Sequence, residues 1–115
     1  SVALVLEFHA DECPYCRMLE EEFLKPMLRN PEYAKKVLIR KVKIDSHVDI
    51  IDFSGAKIQV GEFSRRYGAI LTPTLVFLDS DGREVAERIV GINTPELFGG
   101  YVDMAINRAL MSIRR

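Results

Sequence analysis

Val2-Ala3-Leu4-Val5-Leu6-Glu7-Phe8-His9-Ala10-Asp11-Glu12-Cys13-Pro14-Tyr15-Cys16 runs from apolar, β-favouring residues through a polar corner into two cysteines three positions apart. Val2 to Phe8 is almost continuously apolar, as a buried strand requires, and Glu7 is its one interruption. Pro14 is a residue preferred at a first helical position, and everything after it up to Lys25 is compatible with helix. The cysteines therefore sit where a strand turns into a helix. A helix N-terminus leaves N–H groups without internal partners and carries partial positive charge, which favours a thiolate at Cys13. Cys13 is on these grounds a candidate nucleophile, and the spacing to Cys16 suits a disulfide that opens and closes.

Two quieter readings compete with this one. A static structural disulfide ordinarily closes a longer loop, because its stabilising effect grows with loop length. A zinc site needs two further ligands, and the chain offers only His9, His47 and carboxylates, without a second Cys-x-x-Cys or a His-x-x-x-His. No metal is expected.

The 115 residues, 48% hydrophobic and 29% charged, suit one globular domain spanning 1–115. Sixteen basic against seventeen acidic residues give a net charge of −1, which argues against a nucleic-acid partner held by bulk charge. The pairs Arg65-Arg66 and Arg114-Arg115 read as solvated. No apolar run has membrane length, and Val2 to Phe8 lacks the basic flank and cleavage site of a leader, so any targeting segment is expected to have been removed or never to have existed. With no third cysteine, nothing can mispair in an oxidising compartment, although a cytosolic redox protein would look the same.

Downstream of Pro14, the positions Tyr15, Met18, Leu19, Phe23 and Met27 recur at helical spacing, which makes Tyr15 and Met18 packing residues. Pro26 should kink or end that helix before Asn30-Pro31 opens a short second one, and Glu20-Glu21-Glu22 reads as a solvated face. Val37 to Ile44 alternates as a strand, with Lys41 its exception. Ser46 to Lys57 reads as a loop; Val60, Phe63 and Tyr67 then mark a helix closed by Gly68. Thr74-Leu75-Val76-Phe77-Leu78 and Glu84 to Val90 flank Asp79-Ser80-Asp81-Gly82, a hairpin signature. Thr94 caps a terminal helix with Pro95 in its first turn and an apolar stripe through Leu97, Tyr101, Met104, Ile106 and Leu110. The order predicts an α/β fold, a mixed sheet with helices on both faces and the cysteines at the end of its first strand, where such folds carry chemistry.

In this order of elements, the chain resembles the thioredoxin family over nearly its whole length from Val2. Leu6 to Cys13 looks like the family's strand running into its active-site corner, with Glu7 where a buried aspartate usually sits. Lys41-Val42-Lys43-Ile44-Asp45 is similar to the next strand, which carries a lysine close to that acid; Tyr67-Gly68, Thr72-Pro73-Thr74 and Val90-Gly91 match a helix end, a cis-proline loop and the glycine beside it. The family's opening strand and helix are absent, and His9 and Glu12 stand where tryptophans flank the usual motif. Pro14-Tyr15 resembles the dipeptide of glutaredoxins and some disulfide-isomerase relatives. The long segment between Asp45 and Tyr67 is similar to exported bacterial thioredoxins of the SoxW type.

The resemblance implies a thioredoxin-like thiol:disulfide oxidoreductase in which Cys13 attacks and Cys16 resolves. It implies that Glu7 is buried beneath Cys16 and exchanges the resolving thiol's proton, with its pKa raised toward neutrality and moderated by Lys41. Thr72-Pro73 is expected to be cis; Pro14, Tyr15, Thr72, Pro73, Gly91 and Ile92 are expected to contact substrate, Thr72 and Gly91 through backbone groups and Ile92 by lining the groove. No cofactor is expected beyond the Cys13-Cys16 disulfide. The implied partners are protein thiols and disulfides with an upstream electron donor or acceptor, acting on a monomer in a bacterial periplasm or otherwise exported, with the cytoplasm as alternative. Two rival readings stay open: a thioredoxin-fold binding module with a non-catalytic disulfide, and a glutathione-dependent reductase like the glutaredoxins. His9, at a strand end, reads first as a structural residue.

Overall fold

In the computed structural model, which describes residues 1–115, the opening apolar run forms β1 (Ala3–His9) at the middle of a four-stranded sheet. β1 is buried because it has a neighbour on each side: β2 (Val37–Lys43) in parallel and β5 (Thr74–Leu78) antiparallel. β6 (Glu84–Val90) completes the order β2-β1-β5-β6. The parallel β1–β2 pair needs a crossover, and the segment after Cys13 supplies it.

That crossover begins as α1 (Pro14–Leu19), widens into a π turn over Glu20–Leu24 and returns to helix as α2 (Lys25–Leu28). Pro26 does not end it: the helix passes through this residue, and the departure from α geometry lies in the turn just before. α3 (Pro31–Ala34) follows, capped by the Asn30 side chain, which accepts from the Glu32 N–H at 3.0 Å. α4 (Val60–Arg66) packs on the opposite face, and α5 (Pro95–Ile113) on the same face as α1. Thr94 occupies the N-cap position of α5 without a side-chain hydrogen bond.

Strand alternation divides the core in two. Ala3 and Val5 face a cluster with Leu19, Leu75, Phe77 and the α5 residues Phe98, Val102, Ile106 and Ala109. Leu6 and Phe8 face the other, with Val42, Val60, Phe63 and Val76. Glu7 continues the Ala3-Val5 row, so the alternation sends its carboxyl toward the α1 side of the sheet.

Three sequence expectations change here. Ser46 to Lys57 is not a loop: β3 (Asp49–Ile51) and β4 (Lys57–Gln59) pair as an antiparallel hairpin around the Asp52 turn. Asp52 accepts from the Ser54 N–H and the Ala56 N–H, both at 2.9 Å, and from the Ser54 hydroxyl at 2.6 Å. The stripe assigned to α5 is displaced, since Leu97, Tyr101 and Met104 are exposed while Phe98, Val102, Ala105 and Ala109 join Ile106 and Leu110 in the core. Arg114 is not simply solvated: its guanidinium donates to the Ser1 and Lys35 carbonyls, at 3.0 and 3.2 Å from Nη2.

Candidate active site

The corner from β1 into α1 is fixed by local chemistry. Glu12 adopts φ 53°, the left-handed region that a side chain makes costly, and this turns the chain so that Cys13 becomes the N-cap of α1. The Asp11 N–H donates to Asp45 at 3.1 Å and the Asp11 carboxylate pairs with Lys43 at 2.8 Å, tying the corner to the end of β2. Cys13 and Cys16 form a disulfide with Cα atoms 5.2 Å apart. The Cys16 N–H donates to Cys13 Sγ at 3.2 Å, so an unpaired helix donor is aimed at the sulfur where negative charge would develop. Cys13 is half-buried, whereas Cys16 is 6% exposed.

Across the disulfide stands the loop entering β5. The Thr72–Pro73 peptide is cis, and the Thr72 hydroxyl lies 3.5 Å from Cys13 Sγ. Thr72 makes no backbone–backbone hydrogen bond, which leaves its main chain available to a partner strand. The Gly91 N–H is donated to the Pro73 carbonyl at 2.8 Å, so the backbone group that Gly91 has left for a partner is its carbonyl. The Ile92 side chain is 7% exposed and packs in the α5-side core. Tyr15 is no packing residue, being 54% exposed. Ile70 and Leu71, exposed on the approach to Thr72, had no periodicity to mark them and were not singled out by sequence.

On the other side of the disulfide a cleft is lined by Glu7, Cys16, Glu20 and Lys41 together with Cys13 and His9. Glu7 is 1% exposed. Burial, then the negative charge of Glu20, pushes its carboxyl up to about 8, and Lys41 opposes this. Strand register sets Lys41 beside Glu7, but the Lys41 ammonium pairs with Glu20 at 3.4 Å and its side chain remains half exposed. Glu20 is therefore not part of a solvated face with Glu21 and Glu22. Sequence reading missed it because an acidic triplet hides which member faces inward; the i, i+4 spacing from Cys16 was the available signal. His9 is pushed down by its own burial and by Lys41, which favours the neutral ring.

Residues 2–106 match the family described as Thioredoxin-like domain. No curated protein matches the sequence. Among solved structures, thioredoxin from Fasciola hepatica is 24% identical, with 94% of this chain and 81% of that one covered at a TM-score of 0.64. Thioredoxin from Malassezia sympodialis is 22% identical over 93% of this chain and 74% of its own, with a TM-score of 0.65. The germline-specific thioredoxin Deadhead of Drosophila is 23% identical over 90% and 81%, with a TM-score of 0.62. Identities at this level are a likeness of fold.

Proposed function

Because the chain belongs to the thioredoxin-like domain family, we propose that it is a thiol:disulfide oxidoreductase acting on protein disulfides through Cys13 and Cys16. The observation that carries this reading is the fully buried Glu7 sharing a cleft with the buried Cys16. A carboxyl with no apolar use, placed beside a sulfur, is a burden that a docking fold does not need.

The reduced Cys13 thiolate attacks one sulfur of a substrate disulfide, whose S–S bond breaks and whose other sulfur leaves as thiolate. The Cys16 thiol then gives its proton to Glu7 and attacks Cys13 Sγ. The second substrate thiolate departs, and Cys13–Cys16 is left oxidised. Sulfur-to-sulfur exchange requires no bound cofactor, and an upstream thiol donor restores the dithiol. Run backward, the same steps oxidise a substrate, and the reduction potential against the compartment decides the direction.

Substrate is expected to lie as an extended segment against Thr72 and Pro73, with Pro14 and the exposed Tyr15, Ile70 and Leu71 giving it apolar contact. Gly91 has its carbonyl left to offer. The long β3–β4 insertion favours an exported bacterial thioredoxin of the SoxW type, and hence a periplasmic monomer.

Reduction of insulin disulfides with dithiothreitol as electron source tests the assignment. Catalysed precipitation that disappears in Cys13→Ser is the expected result. Precipitation no faster than with dithiothreitol alone would favour the binding module, and turnover sustained by glutathione as sole reductant would favour the glutaredoxin-like alternative.

A further inference from the structure

Glu7 Oε1 and Glu20 Oε2 are both buried without a hydrogen-bond donor. The nearest cation, the Lys41 ammonium 3.4 Å from Glu20 Oε2, does not align to donate. Two carboxylates lining one cleft, each with a buried oxygen that no donor satisfies, are unfavourable unless one retains a proton. Glu7 is 1% exposed, while the Glu20 side chain is 20% exposed and Lys41 at the mouth is 50% exposed, so Glu20 is the member of the pair that meets solvent more freely. Glu20 also opens the π turn, a departure from helical winding that recurs at functional positions.

We infer that Glu7 and Glu20 form a proton-sharing carboxyl pair, in which Glu20 is the positioning residue that passes to solvent the proton Glu7 takes from Cys16. This rests on the oxidoreductase reading for its use but not for its existence. The pair holds one proton before and after each resolution step. As Cys16 Sγ loses its proton to Glu7, the shared proton moves to Glu20 and from there to water. The S–H electron pair becomes the Cys16–Cys13 bond, and the pair from the broken bond to substrate leaves on the substrate thiolate. The groups bearing on the pair are His9 on β1, Asp11 and Glu12 at the corner, Arg17 and Glu21 on the helical segment, and Lys41 on β2. β5, on the other side of Glu7, places Leu75 opposite it and adds no charge.

The Glu7 and Glu20 side-chain carboxyl carbons, followed by ¹³C NMR against pH in the oxidised protein, read the pair without any catalysis. Wild type should show both carbons moving in the same two steps, since coupled groups titrate jointly. In Glu20→Gln the Glu7 carbon should titrate in one step, lower by about one pH unit or more, because the negative neighbour is gone. Lys41→Met should move Glu7 the opposite way. Resolution of a mixed disulfide by Glu20→Gln at pH 7 should slow by about tenfold, a part of what positioned proton transfer supplies, and Glu20→Asp should recover some of it. A Glu7 titration unchanged in Glu20→Gln, or unaltered resolution across the pH profile, overturns the pairing. Loss of insulin reduction in wild type with the coupled titration intact would overturn the oxidoreductase reading instead.

Discussion

Glu7 combines strong β1 geometry with a charge the core does not accommodate. Its backbone is paired on both sides, so it cannot turn outward without shifting every other β1 residue to the wrong face. The consequence is a pH dependence with a definite sign. An ordinary glutamate titrates near 4.5 and this one near 8, so the folded protein binds more protons than the unfolded chain between those values. Glu7's contribution is most favourable below pH 4.5 and declines as the pH rises through 8. The stability of Glu7→Gln relative to oxidised wild type should therefore grow by roughly 2–4 kcal/mol from pH 4.5 to 8.5. Urea unfolding at a series of pH values measures this; a difference that stays flat would mean that Glu7 ionises as freely folded as unfolded.

Among the elements, the strands and helices that carry the site were legible because their patterns are strong. β1 is a run of apolar residues, β5 and β6 are joined by Asp79-Ser80-Asp81-Gly82, and Pro14 marks the start of α1. The β3–β4 hairpin was not, because its strands are three residues each and only Ile50 and Ile58 mark their inner side. It is held by a turn and by its neighbours. Phe53 packs over Gly82, whose carbonyl also accepts the Tyr67 hydroxyl at 2.6 Å. Both Gly55 and Gly82 have positive φ, 87° and 85°, but a Cβ on Gly82 would collide with the Phe53 ring while one on Gly55 meets nothing within 4 Å. Gly55→Ala should cost about 1 kcal/mol, the backbone term alone, and Gly82→Ala about 2–4 kcal/mol, with overpacking added. Equal losses in denaturant unfolding would show that the hairpin does not rest on that turn. The α5 stripe was misread for a related reason: Leu97, Tyr101 and Met104 lie one position from Phe98, Val102 and Ala105, and the helix carries apolar residues on both sets.

In the molecule as a whole, the sheet brings together what sequence keeps apart. Thr72 reaches Cys13 from 59 residues away, and Lys41, set beside Glu7 by the β1–β2 register, pairs with Glu20 from the turn after α1. Cys13, Cys16 and Glu7 were readable from motif and interruption; Glu20, the buried Ile92 and the occupied Gly91 N–H depend on side-chain direction and hydrogen bonding that spacing does not encode. The central claim is that Cys13 exchanges disulfides with proteins and Cys16 completes the exchange. Mass spectrometry of Cys16→Ser after incubation with a disulfide-containing protein tests it most directly. A mixed disulfide should accumulate on Cys13, because the attacking sulfur is present and the resolving one is not. Wild type should show none at steady state, and Cys13→Ser should trap none. No adduct on Cys13 in Cys16→Ser, or an equal adduct on Cys16 in Cys13→Ser, would contradict the account.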